Sequence, residues 1–377
     1  MFRLRIIKLL ISLANLLLGF VAAIVYKRNT RPESILLFRT GSIGDTVCAI
    51  PSIVAIRKKY PNAKLTILTN SGGSTLVGMK NILDPSVYDE LIDYFGLSGK
   101  QLIRTLRQKH FDLFIQLPQT DAGFWRLFRD LLFFRTIASA GWGWEYSTFP
   151  YFRQIQERYT RFPNETDRLL AILKKNGIEQ DAKDYRLQLK DPNDLNVVDN
   201  AFREAGLHNA DFLLAIVVGA KRPQNRWPIA YFRQVMEHFQ DSCQMILIGG
   251  PEDRSLTQSL QGISHVTDFT GRFTPMQSAI ALQRCQLTLS NDTGPMHLSY
   301  ASGTPTLGLF SSRDFPGKWA PPEGNANGWF RASNIPCSLC LSEDCKNNIC
   351  MQAILPQDVI EKMEAFMIAR KAPVSTF

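Results

Sequence analysis

The chain has 377 residues, of which 45% are apolar and 20% are charged, and it carries a formal net charge of +9. This length exceeds what one small hydrophobic core needs, and the composition is that of a folded globular protein, which excludes a wholly disordered chain. The excess of positive charge favours an anionic partner. Composition alone leaves three such partners open: a phosphorylated small molecule, a membrane surface or nucleic acid.

The first 30 residues form a hydrophobic segment that we expect to act as a membrane anchor without a catalytic role. No charged residue occurs from Leu9 to Tyr26, and such a run, about 18 residues long, is just sufficient to cross a bilayer. Basic residues flank the run on both sides, so the direction of crossing is not fixed. Ser12, Asn15 and Gly19 interrupt its apolar character, which keeps open a helix that lies in the membrane plane.

Beyond this segment, short apolar runs typical of buried parallel strands alternate with helical patterns. Strands are predicted at 34–39, 64–70, 111–117, 212–220, 243–250 and 286–291. Helices are predicted at 99–109, 123–136 and 165–175, and from Pro228, Glu252, Pro275 and Gly294 onward. A connector containing proline and charge is predicted at 185–196. The pattern predicts an α/β protein with two Rossmann-like, doubly wound domains, 31–190 and 191–377, that face a cleft and bind ligands at the carboxyl ends of their strands.

The stretch "RTGSIGDTVCAIP" (39–51) follows the first predicted strand. Gly41 and Gly44, with Thr40 in the same backbone loop, are expected to let the backbone approach a ligand or adopt positive φ. The spacing fits neither the dinucleotide fingerprint nor the phosphate loop. Asp45 stands where a helix N-cap is expected, and a carboxylate at that edge can also accept a proton from a hydroxyl nucleophile. The residues alone leave both roles open.

The stretch "SNDTGPMH" (290–297) follows the last predicted strand. Asp292, Thr293 and Gly294 are predicted to form a turn, and the free N–H groups of the helix that follows predict an anion site. His297, one turn into that helix, is expected to point toward the same end. A capped helix with a surface histidine is the alternative interpretation.

Two further turns carry charge at predicted strand ends. Lys221, Arg222 and Arg226 follow the strand at 212–220 and could stabilise charge on a leaving phosphate, although a solvated basic loop has the same composition. Glu252, in "GGPED" (249–253), is a candidate acceptor of hydrogen bonds from ribose hydroxyls.

Four of the seven cysteines, Cys337, Cys340, Cys345 and Cys350, have the spacing C-x2-C-x4-C-x4-C. This spacing is compatible with a tetrahedral structural zinc site, and equally with disulfides or free thiols. A catalytic metal is not expected there. The aromatic and basic neighbours that RNA binding needs are sparse, so no nucleic-acid partner is expected.

Taken together, these stretches resemble glycosyltransferase family 9, the ADP-heptose:lipopolysaccharide heptosyltransferases. The stretch "ILLFRTGSIGDTVCAIPSIVAIRKKYPNAKLTIL" is similar to the family's opening signature, and "SNDTGPMHLSYASGTPTLGLF" is similar to its donor-site signature. "NRWP" and "TGRFTPMQSAIALQRCQ" are similar as well. The resemblance implies the GT-B fold and an inverting transfer from a nucleotide-activated sugar that requires no cofactor.

The resemblance also implies roles for single residues. Asp45 matches the family's general base, and Asp292, Thr293, Gly294 and His297 match contacts to the donor pyrophosphate and sugar. Glu252 matches a carboxylate near the nucleoside, and Met276 matches an apolar contact to the base. The chain departs from the family at Asn225, which replaces a donor-binding lysine two residues before the tryptophan of "K-x-W-P". Arg226 or Lys221 is expected to supply the lost charge.

The resulting hypothesis is a heptosyltransferase that uses a nucleotide-sugar donor, with ADP-heptose expected, and an anionic glycolipid acceptor of the lipopolysaccharide core. It is expected at the membrane surface on the cytoplasmic side of a bacterial inner membrane. The basic, aromatic helix at 125–135 fits lipid contact and fits a core helix equally well. Two alternatives remain: another GT-B enzyme such as a nucleotide-sugar epimerase, and a non-catalytic basic protein that binds lipid or nucleic acid.

Overall fold

The computed structural model describes residues 2–72, 78–147, 162–179, 185–207, 210–322, 327–333 and 335–371. The chain divides into two compact units, Met1–Leu187 and Gln188–Phe377, called here the N-terminal and C-terminal domains. Each domain has its own parallel sheet with helices packed against it. The predicted class, an α/β protein with two doubly wound domains and an N-terminal hydrophobic helix, is confirmed.

The N-terminal domain is built on a five-stranded sheet of order β3-β2-β1-β4-β5 with parallel pairings. Its strands are β1 (Ser34–Phe38), β2 (Lys64–Thr69), β3 (Glu90–Asp93), β4 (Phe111–Gln116) and β5 (Ala138–Trp142). Its helices are α1 (Phe2–Val25), α2 (Ile43–Lys59), α3 (Gly99–Arg107), α4 (Phe124–Arg135) and α5 (Glu165–Lys175). The strand order reverses between β1 and β4, and ligands of open parallel sheets bind at such a point.

The C-terminal domain is built on a six-stranded parallel sheet of order β11-β10-β9-β6-β7-β8. Its strands are β6 (Leu213–Val217), β7 (Gln244–Leu247), β8 (Val266–Asp268), β9 (Leu287–Asn291), β10 (Thr306–Phe310) and β11 (Gly328–Arg331). Its helices are α6 (Pro192–Glu204), α7 (Ile229–Phe239), α8 (Arg254–Gln258), α9 (Pro275–Gln283), α10 (Gly294–Ser302), α11 (Ile349–Gln352) and α12 (Pro356–Lys371). Here the order reverses between β6 and β9, so the turns after these two strands occupy the ligand-binding edge.

The connector predicted at 185–196 contains the boundary between the two units, but its second part, from Pro192, is the start of α6. Asp191 accepts a hydrogen bond from the backbone N–H of Asn193, and Pro192 begins α6 at a position where its missing N–H leaves no helical bond unmade. The charge and proline that suggested a loop are therefore the start signal of a helix. The predicted helix from Glu252 is also displaced, because a 3-10 turn at Pro251–Asp253 precedes α8.

Helix α1 is, among the described residues, the helix whose length and apolar composition would let it cross a membrane. It packs against α4, and Leu18 is completely buried in a cluster that includes Leu127, Leu131 and Phe134. Those three residues give α4 a buried face, so the interpretation of 125–135 as an amphipathic core helix is confirmed.

Candidate functional site

The turn that follows β1 places Asp45 in the first turn of α2. Ser42 is the N-cap residue, so the prediction that Asp45 occupies the cap position is wrong: Asp45 lies three residues further along, inside the helix. The backbone N–H and the hydroxyl of Ser42 each donate a hydrogen bond of 2.9 Å to Oδ2 of Asp45. One carboxylate oxygen therefore closes the turn.

Only one of the two predicted glycines needs its special backbone freedom. Gly41 has φ of +137°, and a Cβ on it would lie 2.3 Å from Cβ of Asp45. Gly44 is an ordinary buried residue of α2. The backbone carbonyl of Thr40 accepts a hydrogen bond of 3.4 Å from the side chain of Gln119. The loop is thus shaped around the Asp45 side chain.

The second oxygen of Asp45 faces a buried arginine. Oδ1 lies 3.5 Å from Nη2 of Arg39, and the Asp45 side chain is 20% exposed. Arg39 also donates to the backbone carbonyl of Asp45 at 3.2 Å and to that of Pro118 at 3.0 Å. Asp45 is therefore held at Oδ2 by Ser42 and at Oδ1 by Arg39, while part of its side chain stays exposed.

Arg39 belongs to a buried ionic network that we call the Glu165 network: Arg39, Glu165, Arg168 and Thr120. Nη2 of Arg39 lies 3.2 Å from Oε1 of Glu165, and neither side chain has exposed surface. Arg168 binds both oxygens of Glu165 at 2.7 and 2.8 Å, and the Thr120 hydroxyl donates at 2.7 Å. Burial alone would raise the pKa of Glu165, but the hydrogen bonds and charge of Arg168 and the charge of Arg39 outweigh it and lower the pKa to about 2.

The sequence analysis missed this network. A signal was present, because Arg39 ends an otherwise apolar strand pattern, and a charge at that place needs a buried partner. The partner stands 126 residues away in sequence and could not be identified without the fold.

In the C-terminal domain, Asn291 joins the turns that follow β6 and β9. Its side-chain amide donates to the carbonyl of Val218 at 2.7 Å and accepts from the backbone N–H of Trp227 at 3.0 Å. The next residues are Asp292 and Thr293, the N-cap of α10, and Gly294 is the first residue of that helix. The start of α10 therefore lies at the reversal point of the sheet, where the sequence predicts an anion site.

Asn225 is tied to Asp292 directly. Its Nδ2 donates to Oδ2 of Asp292 at 3.0 Å, while its Oδ1 accepts from the hydroxyl of Ser311 at 2.8 Å. The amide thus bridges the turn after β6 and the turn after β10. A lysine at this position would instead place a charge beside Asp292.

The pKa of Asp292 is well above the ordinary value of an aspartate. Burial and the charge of Asp314 raise its pKa to about 7, against the opposing charges of Arg222, Lys318 and Arg313. His297 is 3% exposed rather than a surface residue; its Nδ1 lies 2.9 Å from the Tyr300 hydroxyl and its Nε2 lies 4.0 Å from Oδ1 of Asp292. The sequence-predicted pair of Asp292 and His297 does come together.

A loop that the sequence analysis did not single out, residues 311–319, completes this site. Asp314 accepts hydrogen bonds from Lys318 at 3.2 Å and from the Trp319 indole at 3.1 Å. Burial alone would raise the pKa of Asp314, but the charge of Lys318 and these hydrogen bonds lower it. A pocket there is lined by Asn225, Asp292, Phe310, Ser311, Arg313, Asp314, Phe315, Gly317, Trp319 and Arg331.

The predicted basic loop contributes less to this pocket than expected. Lys221 is exposed, and Nε of Arg226 donates to the carbonyl of Ala220 within its own loop at 2.9 Å. Arg222 forms an exposed ion pair with Glu343 at 3.4 Å. Of this loop, Arg222 is the residue whose charge lowers the pKa of Asp292; the other two charges that do so, Lys318 and Arg313, come from the 311–319 loop.

The remaining predicted residues lie at the ends of β7 and α9 and in the cysteine stretch. Glu252 is exposed, whereas its neighbour Asp253 is buried and accepts a hydrogen bond from the N–H of Gly250 at 3.0 Å. Met276 is half-buried in the first turn of α9. All seven cysteines are free thiols, and among the described residues no group of three or more His, Cys, Asp or Glu side chains is placed to hold a metal ion.

We predict that Gly41→Ala destabilises the protein by about 2 kcal/mol, because the new methyl group collides with Asp45 and the residue must keep a positive φ. The measurement is the free energy of unfolding in urea. Gly96→Ala is the control, since Gly96 has φ of +78° but no heavy atom within 4 Å of an added Cβ. An equal loss in both variants would show that Asp45 does not shape the turn.

We predict that Asp292→Asn gains stability relative to wild type as the pH rises, by roughly 2–3 kcal/mol between pH 5 and pH 8. The Asp292 carboxyl is neutral in the folded protein below its pKa of about 7, while in the unfolded chain it ionises near the ordinary pKa of 3.8. At pH values between these two pKa values, the folded protein binds a proton at Asp292 that the unfolded chain has released. The free energy of unfolding of the wild type therefore falls as the pH rises through this window. Thermal unfolding across pH 5–8 measures the effect, and a stability difference that does not change with pH would contradict it.

The comparisons with known proteins agree on one family. The family model described as glycosyltransferase family 9 (heptosyltransferase) matches residues 100–350. Lipooligosaccharide heptosyltransferase 2 of Campylobacter jejuni is 26% identical over 167 residues, which cover 42% of this chain and 52% of that protein. The chain thus spans about half the length of this curated relative.

Two further similarities extend over more of the chain. The lipopolysaccharide core heptosyltransferase OpsX of Haemophilus influenzae is 22% identical over 293 residues, 74% of this chain and 79% of that protein. The structure of Escherichia coli ADP-heptose lps heptosyltransferase II shares the fold, with a TM-score of 0.63 at 19% identity, covering 90% of this chain and 100% of that one. Because the family model spans more than half of its residues, the chain belongs to glycosyltransferase family 9.

Proposed function

We propose that the protein is an inverting heptosyltransferase that moves the sugar of ADP-heptose to a hydroxyl of a lipopolysaccharide-core or related glycan acceptor. Family membership and the names of the relatives support this reaction class. The observation that carries the proposal is the state of Asp45: its carboxylate is held by Ser42 and Arg39, yet its side chain stays partly exposed where the strand order of the sheet reverses.

Asp45 is proposed as the general base. It accepts the proton of the acceptor hydroxyl while the oxygen forms a bond to the anomeric carbon of the heptose. The bond from that carbon to the diphosphate breaks in the same step, and ADP leaves as an anion. One in-line displacement inverts the anomeric configuration. The Glu165 network, through Arg39, holds the Asp45 carboxylate in place, so little reorganisation is needed when the acceptor hydroxyl binds.

The donor is proposed to bind at the C-terminal domain. The N–H groups of Thr293 and Gly294 at the start of α10 receive the diphosphate, and its charge is balanced by protein cations. Lys318 and Arg313 are better placed for this than the predicted Lys221 and Arg226, because their charges act on Asp292. Asn225 and His297 border the same place, and Glu252 and Met276 remain the proposed contacts to the nucleoside.

The acceptor is proposed to be an anionic glycolipid. We therefore place the enzyme at the cytoplasmic face of the bacterial inner membrane, where such an acceptor is anchored. The net charge of +9 favours adsorption to an anionic surface.

Asp45→Asn tests the assignment of the base. The amide keeps an acceptor for the Ser42 N–H, so the turn should persist and ADP-heptose should bind within about twofold of wild type in calorimetry. Transfer should fall by about 10²-fold or more, as is typical when a general base is removed. Asp167→Asn, an exposed carboxylate in the first turn of α5, is the control and should transfer normally. Normal transfer by Asp45→Asn would show that another group is the base.

A further inference from the structure

Helix α1 has two apolar faces, and only one of them is covered by protein. The inner face packs on the N-terminal domain; it consists of Ile7, Ile11, Ala14, Leu18, Val21, Ala22 and Val25. The outer face is exposed; it consists of Phe2, Ile6, Leu9, Leu10, Leu13, Leu16, Leu17, Phe20 and Ile24. Each set recurs every three to four residues, so the two sets occupy different, adjoining sectors of one helix.

Polar contacts hold the inner face in place. The side chain of Asn15 pairs with the backbone of Tyr146 through two hydrogen bonds, each 2.8 Å long. Beyond the end of α1, the Tyr26 hydroxyl donates to the carbonyl of Leu131 at 2.7 Å. The Lys27 N–H then donates to the carbonyl of Ser139 at 3.0 Å, and Lys27 bridges to Ala140 in β5. The segment directly after α1 is therefore hydrogen-bonded to the edge strand β5 of the N-terminal sheet.

This docking is incompatible with a helix that crosses the bilayer. A crossing helix is surrounded by lipid or by other apolar segments along its whole length. Here α4 runs beside α1, and α4 carries Arg129, whose side chain is 71% exposed and paired with Asp130. Insertion of α1 across the membrane would draw these charges into hydrocarbon or break the Asn15 and Lys27 contacts.

The exposed side of α1 has the composition of a helix that lies on a membrane. A polar strip of Arg5, Lys8, Ser12 and Gly19 separates the two apolar faces along one edge, and all four residues are exposed. On α4, which packs against α1, Trp125 is 77% exposed, and tryptophan prefers the membrane–water interface. Nine exposed large apolar residues on one helix exceed what a monomer usually leaves to water.

We propose that α1 is an in-plane anchor whose outer face enters the surface of an anionic bilayer while its inner face stays docked on the N-terminal domain. The basic residues Arg5 and Lys8 then meet anionic headgroups, and apolar burial supplies the rest of the binding free energy. The inference refines the membrane location in the proposed function, yet it concerns lipid binding alone. Its test needs no donor or acceptor, so it can fail while the transfer reaction stands.

The test compares glutamate at two neighbouring positions of α1. Leu13→Glu places a carboxylate on the outer face, and Ser12→Glu places one in the polar strip. Full-length wild type and variants are sedimented with vesicles of phosphatidylcholine containing phosphatidylglycerol, and with phosphatidylcholine alone. Circular dichroism melts check that each variant is folded.

For an in-plane anchor, Leu13→Glu should weaken vesicle binding at least tenfold, while Ser12→Glu should stay within about threefold of wild type. Binding should also be stronger with phosphatidylglycerol and weaken as salt is added. A helix that crosses the bilayer would suffer comparably from both glutamates, and that result would overturn the proposal. Wild type that does not sediment with either vesicle, or Leu13→Glu that dissociates a dimer without changing vesicle binding, would overturn it as well.

Discussion

The ionised carboxylate of Glu165 is the constraint on which the N-terminal site depends. It has no exposed surface and is held between the guanidinium groups of Arg39 and Arg168. Such a buried pair contributes little net stability when complete, but loss of one partner leaves an uncompensated charge and costs about 3–5 kcal/mol. The network ties the end of β1 to α5 and to the 118–120 turn. The network also fixes the position of Asp45, because Arg39 contacts both the backbone and the carboxylate of that residue.

In the C-terminal domain, neutral side chains rather than a buried ion pair hold the turns of the candidate site together. Asn291 and Asn225 link three turns through side-chain amides, and the charged residues are grouped around Asp292 and Asp314. The two carboxyl groups have opposite pKa shifts, since the direct partner of Asp314 is the charged Lys318, whereas Asp292 accepts a hydrogen bond from the neutral amide of Asn225. Protonation of Asp292 would help an anion to bind at α10. In the proposed function the two domains supply different chemistry, a proton acceptor and an anion site.

Much of the fold could be predicted because its central strands are continuous apolar runs and several helices carry clear start signals. Helices α5, α9 and α10 begin at the predicted residues, two of them beside a capping threonine or asparagine. Strands β3, β5, β8, β10 and β11 were missed. Two of them, "ELID" (β3) and "ASAGW" (β5), are only partly buried and contain charged or small residues. The start of α6 was misread, because Asp191 and Pro192 signal a helix as readily as a loop.

Some residues of the candidate site could likewise be predicted from the sequence, and others could not. Asp45, Asp292 and His297 could be found because they follow strand ends within short local stretches. The Glu165 network and the Asp314–Lys318 loop could not, because their importance comes from contacts across the fold rather than from spacing. The prediction of Asp45 as the N-cap of α2 was wrong because Ser42 occupies that position, and both residue types cap helices well.

The most direct measurement of the proposed reaction follows a heptosyl group from donor to acceptor. Purified protein would be incubated with ADP-heptose and with lipopolysaccharide core lacking heptose, and the acceptor mass and released ADP would both be quantified. The account predicts one heptosyl residue added for each ADP released, and no ADP without the acceptor. Consumption of ADP-heptose in the absence of acceptor, or an acceptor whose mass never changes, would contradict it.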